Sequence, residues 1–295
     1  MSAGSVRRAL VTGGDGQVGR ALRARVPAGW ELVSCGSRTL DVTDRANVLA
    51  TIGRERPAVV INAAAYTAVD RAESDPAAAE AVNAAGAAHV AEAADRAGAR
   101  LLHLSTDYVF DGSQTRAYAP GDPPNPLGVY GRTKLAGERE VARIAGYRAL
   151  ILRTAWVYAS HGRNFVSTML RLMAERAEVR VVADQIGTPT WAGGLAEALW
   201  AGAARADVQG IHHWTDAGVA SWFDFAVAIQ EEALERGVLD RAVPIRPVGS
   251  EEHPGAAPRP ACSVLDKRST WSALAMTPPH WRVNLRRMME EIARA

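Results

Sequence analysis

Short apolar runs, each followed by an amphipathic Ala-rich segment, fill the first half of this chain and most constrain its fold. Arg8–Thr12, Glu31–Ser34, Ala58–Asn62, Arg100–Ser105 and Ala149–Thr154 read as strands. Leu10-Val11, Val59-Val60-Ile61 and Leu101-Leu102 are apolar on consecutive positions, the pattern of parallel strands covered on both faces. Gln17–Arg25, Arg45–Glu55, Pro76–Ala97 and Gly131–Ala145 read as the helices between them. This alternation predicts βαβ units and a parallel sheet of α/β class. The second half is less regular. Asn164–Arg176, Gly193–Ala204 and Trp222–Glu235 read as helices, and Arg180–Ala183 as a strand. The stretch 244–260 carries five prolines and reads mostly as loop. With no repeat or linker in view, two lobes are expected to interleave.

Composition removes several function classes. The chain has 295 residues, 48% hydrophobic and 22% charged, as a globular protein with a real core has. A net charge of +2 without a basic stripe argues against nucleic acid and anionic membranes. Cys35 and Cys262 are the only cysteines, too few and too far apart for a disulfide framework or zinc site. The start runs straight into Ala9-Leu10-Val11, an apolar stretch too short for a signal peptide or a span. A reducing cytoplasmic setting follows as the expectation. Of 34 basic residues only Lys134 and Lys267 are lysines. A lysine here marks a place where arginine will not serve.

The first strand opens onto Thr12-Gly13-Gly14-Asp15-Gly16-Gln17-Val18-Gly19. Glycines at 13, 16 and 19 permit a tight turn and remove the Cβ atoms that would block a pyrophosphate. The helix that follows offers free N–H groups to the phosphates. The second strand ends near Cys35-Gly36-Ser37-Arg38, with no acid to accept bonds from an adenosine 2′-hydroxyl. Ser37 and Arg38 can instead hold a 2′-phosphate, which favours NADPH over NADH. The alternative is that Arg38 is a solvated loop residue. Asp41 and Val42 follow closely enough to cover an adenine edge.

Tyr130 and Lys134 stand four apart at the start of a helix and share one face. Ketone reduction needs a proton for the developing alkoxide, and a tyrosine of ordinary pKa about 10 is a weak acid. A nearby ammonium is expected to lower that pKa and to hold ribose hydroxyls. Arginine is a bulkier fork. Ser105-Thr106-Asp107 ends the fourth apolar run, at the edge where open α/β sheets bind ligands. Thr106 is placed to bond a substrate carbonyl beside Tyr130, or else Ser105 and Thr106 serve as a turn or cap.

These residues resemble the extended short-chain dehydrogenase/reductase superfamily. Longer words resemble its dTDP-4-dehydrorhamnose reductase branch. They are Val60-Ile61-Asn62-Ala63-Ala64-Ala65-Tyr66-Thr67-Ala68-Val69-Asp70, Leu104-Ser105-Thr106-Asp107-Tyr108-Val109-Phe110-Asp111-Gly112, Tyr130-Gly131-Arg132-Thr133-Lys134, Leu152-Arg153-Thr154-Ala155-Trp156-Val157-Tyr158, Asn164-Phe165-Val166, Asp184-Gln185-Ile186-Gly187-Thr188-Pro189-Thr190 and Arg259-Pro260, in family order. The resemblance implies a Rossmann-type doubly wound sheet with a smaller, interleaved C-terminal substrate-binding lobe. Residues 1–153 plus about 181–220 would form the cofactor domain, and about 154–180 plus 221–295 the sugar-nucleotide lobe. It implies a catalytic Thr106, Tyr130 and Lys134, and cofactor contacts from the glycine turn, Ala63, Ala64, Ala65, Tyr130 and Lys134. It implies substrate contacts from Val69, Tyr108, Trp156, Asn164 and Arg259. Some members bind a metal between subunits through a glutamate two positions after the third glycine. Ala21 stands there, so no metal is expected, and the chain is expected to be a monomer or homodimer.

The implied reaction is NADPH-dependent reduction of the C4 ketone of a dTDP-4-keto-6-deoxy-sugar, with NADH as the alternative donor. Other readings are reduction of a different activated keto-sugar in secondary metabolism, a non-catalytic NADP-binding regulatory subunit, and an epimerase or dehydratase. A dehydratase usually has an acidic pair beside the Tyr motif, and here Asp107 is followed by Tyr108.

Overall fold

The computed structural model describes residues 6–252 and 255–294. The first half runs β1 (Arg7–Thr12), α1 (Gln17–Ala24), β2 (Trp30–Cys35), α2 (Arg45–Glu55), β3 (Val59–Asn62) and α3 (Val69–Ser74). It continues with α4 (Pro76–Glu80), a π turn at Ala81–Ala85, α5 (Gly86–Arg96), β4 (Arg100–Thr106), α6 (Val129–Ala145) and β5 (Ala149–Thr154). The second half holds β6 (Val157–Tyr158), α7 (Phe165–Glu175), β7 (Val179–Val182), β8 (Ile186–Gly187), β9 (Thr190–Trp191) and α8 (Ala192–Ala204). Then come β10 (Gly210–His213), β11 (Ala220–Ser221), α9 (Trp222–Glu235), β12 (Ile245–Val248), α10 (Arg268–Leu274) and α11 (Trp281–Ala293).

Six strands form one parallel sheet in the order β10-β5-β4-β3-β1-β2. The order reverses at β1, which lies between β2 and β3, so a crevice opens there at the strands' carboxyl ends. One face buries Val11, Ile61, Leu102 and Leu152 against Leu22 of α1 and Leu195 and Leu199 of α8. The other buries Leu10, Val60, Leu101 and Ile151 against Ile52, Val90 and Val141 of α2, α5 and α6. Each such side chain contributes about 1.5–3 kcal/mol. That double cover is why these strands are apolar on consecutive central positions. A separate core holds Tyr158, Met169, Met173, Val181, Phe225, Leu285 and Met288 of the second lobe.

The second half departs from expectation in places. The stretch expected to be loop contains β12, which pairs in parallel with β7 alone. Pro247 is tolerated there because the strand has a free edge. Pro76–Ala97 is helical but widens into the π turn at Ala81–Ala85. The first core also draws on both halves of the chain. Val181 packs in the second core rather than the first, while Leu274 of α10 returns to the first. Among the described residues no helix is long and apolar enough to cross a membrane.

Candidate active site

The crevice begins at the glycine turn. Gly13 has φ +68°, and a Cβ there would lie 2.7 Å from the Ala63 carbonyl oxygen and the Ala64 nitrogen. Only glycine lets the turn press against the loop after β3. Gly16 caps α1 with extended backbone and no side-chain bond, leaving first-turn N–H groups for an anion. Gly13, Gly16, Gln17, Val18, Ala63 and Ala65 line one end of a cavity of about 550 Å³. Gly19 lies beneath the turn, where a Cβ would sit 2.5 Å from the Gly13 oxygen.

Thr106, Tyr130 and Lys134 line the same cavity, together with Val69, Tyr108 and Trp156. Thr106 ends β4, while Tyr130 and Lys134 occupy the first turns of α6. The Tyr130 phenol lies near the Thr106 hydroxyl, close enough for that hydroxyl to favour the phenolate. Thr106 Oγ1 donates to Asp107 Oδ1 at 3.0 Å and accepts from the Tyr108 backbone N–H at 3.2 Å. Thr106 is therefore both a cap and a cavity group. Ser263 Oγ donates to the other Asp107 oxygen at 2.5 Å. Lys134 Nζ donates to the Leu104 carbonyl at 2.7 Å.

Burial governs the electrostatics here. It pushes Tyr130 up to about 12, opposed by the Thr106 hydroxyl and reinforced by the Asp107 charge. It brings Lys134 down to about 8, opposed by Glu138. It raises Asp107 to about 6, opposed by its bonds from Ser263 and Thr106. The expectation that Lys134 lowers the Tyr130 pKa is therefore corrected. Burial of the phenol dominates, and the Lys134 ammonium, turned toward the Leu104 carbonyl, is not among the groups that shift it. Tyr130 is a neutral donor at physiological pH, and Lys134 is a cation on the cavity floor.

A second cavity of about 820 Å³ adjoins the first, and Trp222 lines both. Trp222 stacks on Trp156, ring centroids 3.4 Å apart and planes 6° from parallel. Trp156 adopts φ +48°, a strained conformation for so large a residue. Its indole fits because position 187 is glycine, where a Cβ would lie 2.6 Å from Trp156 Cε2. The larger cavity has an apolar side from Phe165, Leu172 and Val181, and carries Arg171, Arg176 and Arg180. Arg259 lines it too, paired with Asp70 at 2.7 Å and hydrogen-bonded to Tyr108.

The remaining expected contacts are not among the residues lining either cavity. Ser37 and Arg38 are exposed on the loop after β2. Asp41 spends its carboxylate on the Thr43 backbone N–H and hydroxyl, a local turn before α2. Val42 is buried in the core between α2 and α5. Ala64 donates its N–H to Thr12 Oγ1. Asn164 is the N-cap of α7, accepting from Ser167, and its amide donates to Ala159, His161 and Gln17. Its side chain is thus committed to folding the loop. Ala21 packs in the core, and among the described residues no group of three His, Cys, Asp or Glu is placed to hold a metal.

The model of the RmlD substrate binding domain family matches residues 7–294. The chain belongs to the dTDP-4-dehydrorhamnose reductase family. It is 45% identical to the dTDP-4-dehydrorhamnose reductase of Mycobacterium tuberculosis over 289 residues, covering 95% of this chain and 91% of that one. The Streptomyces griseus protein of the same name is 44% identical over 284 residues, covering 94% and 91%. A crystal structure of the Bacillus anthracis reductase in complex with NADP superposes with a TM-score of 0.90 at 35% identity, covering 97% and 99%.

Against the short words that carry the family likeness, this reductase-family structure adds residues that sequence reasoning missed. Asn83, on the π turn, accepts from the Tyr66 N–H and donates to the Tyr66 carbonyl and to Thr133 Oγ1. It ties α6 in register between Tyr130 and Lys134. The wider turn itself signals a functional element. A polar ladder crosses the sheet under Lys134. Ala64 N–H donates to Thr12 Oγ1, Thr12 to Asn62 Oδ1 at 2.6 Å, and the Asn62 amide to His103 Nδ1 at 3.0 Å. A backbone amide can only donate, so the ladder's direction is set and His103 carries its proton on Nε2. Burial, then the Lys134 charge, hold that imidazole neutral. Ser263 had no local signal, because it meets Asp107 only through the fold.

Proposed function

We propose that this chain is an NADPH-dependent reductase of the C4 ketone of a dTDP-4-keto-6-deoxy-sugar, with dTDP-4-dehydro-L-rhamnose as substrate and dTDP-L-rhamnose as product. The observation that carries this reading is a single cavity with the glycine turn at one end and Thr106, Tyr130 and Lys134 at the other. The Cβ-free face of Gly13 and the uncapped first turn of α1 fit a dinucleotide's diphosphate. The relatives named as this reductase, one of them solved with NADP, support the cofactor and the substrate class.

When bound, the nicotinamide supplies hydride to the carbonyl carbon. Tyr130 donates a hydrogen bond to the carbonyl oxygen, and Thr106 adds a second by turning its hydroxyl proton from Asp107 to the substrate, together drawing charge onto that oxygen. As the alkoxide develops, Tyr130 gives it the phenolic proton. Lys134, a cation below pH about 8, offsets the negative charge left on the phenol oxygen and holds ribose hydroxyls. The larger cavity takes the nucleotide. Arg259, Arg171 and Arg180 suit its diphosphate, and Phe165 and Val181 its base. The Trp156–Trp222 stack stands where the two cavities adjoin, beside the sugar.

The test is NADPH oxidation, followed by absorbance, with enzymatically generated dTDP-4-dehydro-L-rhamnose. Sugar-dependent turnover is expected. NADPH binding without turnover on this or related dTDP-4-keto-sugars would exclude the reading.

A further inference from the structure

The second lobe reaches over the glycine turn. Gln17, first residue of α1, donates its amide to the Val157 carbonyl at 3.4 Å and accepts from the Asn164 amide at 3.0 Å. Both polar ends of Gln17 are thus spent on the segment between β6 and α7. That segment is itself tied down. Asn164 donates to the Ala159 and His161 carbonyls, and Ser160 Oγ donates to Glu291 at 2.7 Å. Its turn, His161-Gly162-Arg163, lines the smaller cavity beside Gly13, Gly16 and Arg20. The His161 ring is partly buried beside the Gln17 backbone, and its Nε2 is shielded from solvent without a hydrogen bond of good geometry. Leaving a shielded ring nitrogen unpaired is unfavourable, so such an atom points to a ligand contact. Two fixed cations, Arg20 and Arg163, stand at the same end, where Asp15 is the one lining acid.

We infer that this turn is a phosphate clamp: His161 and Arg163 of the second lobe bind the dinucleotide's diphosphate together with the N-terminus of α1. The inference rests on the reductase reading, which supplies the dinucleotide. It assigns the diphosphate ligands to both lobes. The same chain segment runs into α7, whose Phe165, Thr168 and Leu172 line the larger cavity. Cofactor binding therefore fixes the entry to the nucleotide cavity through one short, hydrogen-bonded turn.

The experiment is equilibrium binding of NADPH and, separately, of dTDP to the wild type and to the His161→Ala/Arg163→Ala double variant. Loss of one charge-assisted bond corresponds to about tenfold in affinity. The NADPH Kd is expected to rise about tenfold or more, while the dTDP Kd and Tm stay at wild-type values. Arg163→Glu, which places a like charge against the diphosphate, should weaken NADPH further, and Arg163→Lys should retain most affinity. Wild-type and double-variant Kd values for NADPH within about twofold of each other would overturn the clamp and leave the reductase reading standing. A parallel loss of NADPH and dTDP binding with a lowered Tm would also overturn it, showing a folding role only. A wild type that binds neither NADPH nor NADH would overturn the reductase reading, and the clamp with it.

Discussion

Replacing Lys134 by Met keeps the length of the side chain and removes a charge that the fold holds at a disadvantage. Burial lowers the Lys134 pKa from its ordinary 10.5 to about 8. A lowered pKa means the folded state disfavours the proton. The penalty is complete below pH 8, shrinks as pH rises through the interval, and vanishes above 10.5. At about 1.4 kcal/mol per pH unit the full penalty is about 3 kcal/mol. The variant leaves the Leu104 carbonyl without its donor, which returns about 1 kcal/mol. The net expectation is a Lys134→Met protein about 2 kcal/mol more stable at pH 7. With about 2.1 cal/mol/K of unfolding entropy per residue, that raises Tm by roughly 3–4 °C. The assay is thermal unfolding of both proteins across about pH 6.5–9.5. The gap should narrow steadily and be nearly closed by pH 9.5, where the remaining penalty has fallen to about 1.4 kcal/mol against a lost bond of about 1 kcal/mol. Turnover of the variant should collapse at every pH. A variant less stable than wild type at pH 7, or a gap that ignores pH, would refute the reasoning.

Other substitutions probe separate parts of the account. Tyr130→Phe removes the proton donor but no cofactor ligand, so kcat should fall about 10²-fold or more with the NADPH Kd unchanged. Wild-type kcat/KM should lose about tenfold per pH unit above pH 8 as Lys134 deprotonates, with Tyr130 still protonated toward about 12; a profile flat to pH 10 would contradict this. Arg153→Ala strands Glu138, its partner at 2.7 Å, with both side chains buried, and should destabilise the fold by about 3–5 kcal/mol in denaturant titration. Gly187→Ala drives a methyl into the Trp156 indole. It should raise KM for the sugar nucleotide more than it changes NADPH affinity, read from steady-state kinetics and direct binding.

The sheet was legible because buried parallel strands must be apolar at consecutive positions, as Val59-Val60-Ile61 is. The Tyr130/Lys134 pair was legible because helical spacing alone places both on one face. The scarcity of lysine was informative as well. Lys134 and Lys267 are both buried, and burial lowers both to about 8. Helix α11 carried a readable signal, with Trp281, Leu285, Met288, Met289 and Ile292 at helical spacing, although the three arginines and two glutamates between them obscure it. The pKa of Tyr130 was not legible, because it depends on how completely the fold removes water. The Asp107–Ser263 bond joins residues 156 apart in sequence, and no local pattern announces it. Asn164 and Asp41 show a further limit. Sequence does not show that Asn164 caps a helix or that Asp41 closes a local turn, because both roles depend on backbone geometry.

The central claim is direct hydride delivery to a sugar carbonyl in the cavity floored by Thr106, Tyr130 and Lys134. The measurement that tests it most directly uses NADPH deuterated at the transferring position with dTDP-4-dehydro-L-rhamnose, followed by NMR of the sugar product. The account predicts one deuterium per product molecule, at C4 and in a single configuration. Product without deuterium at C4, or label at another carbon, would contradict it.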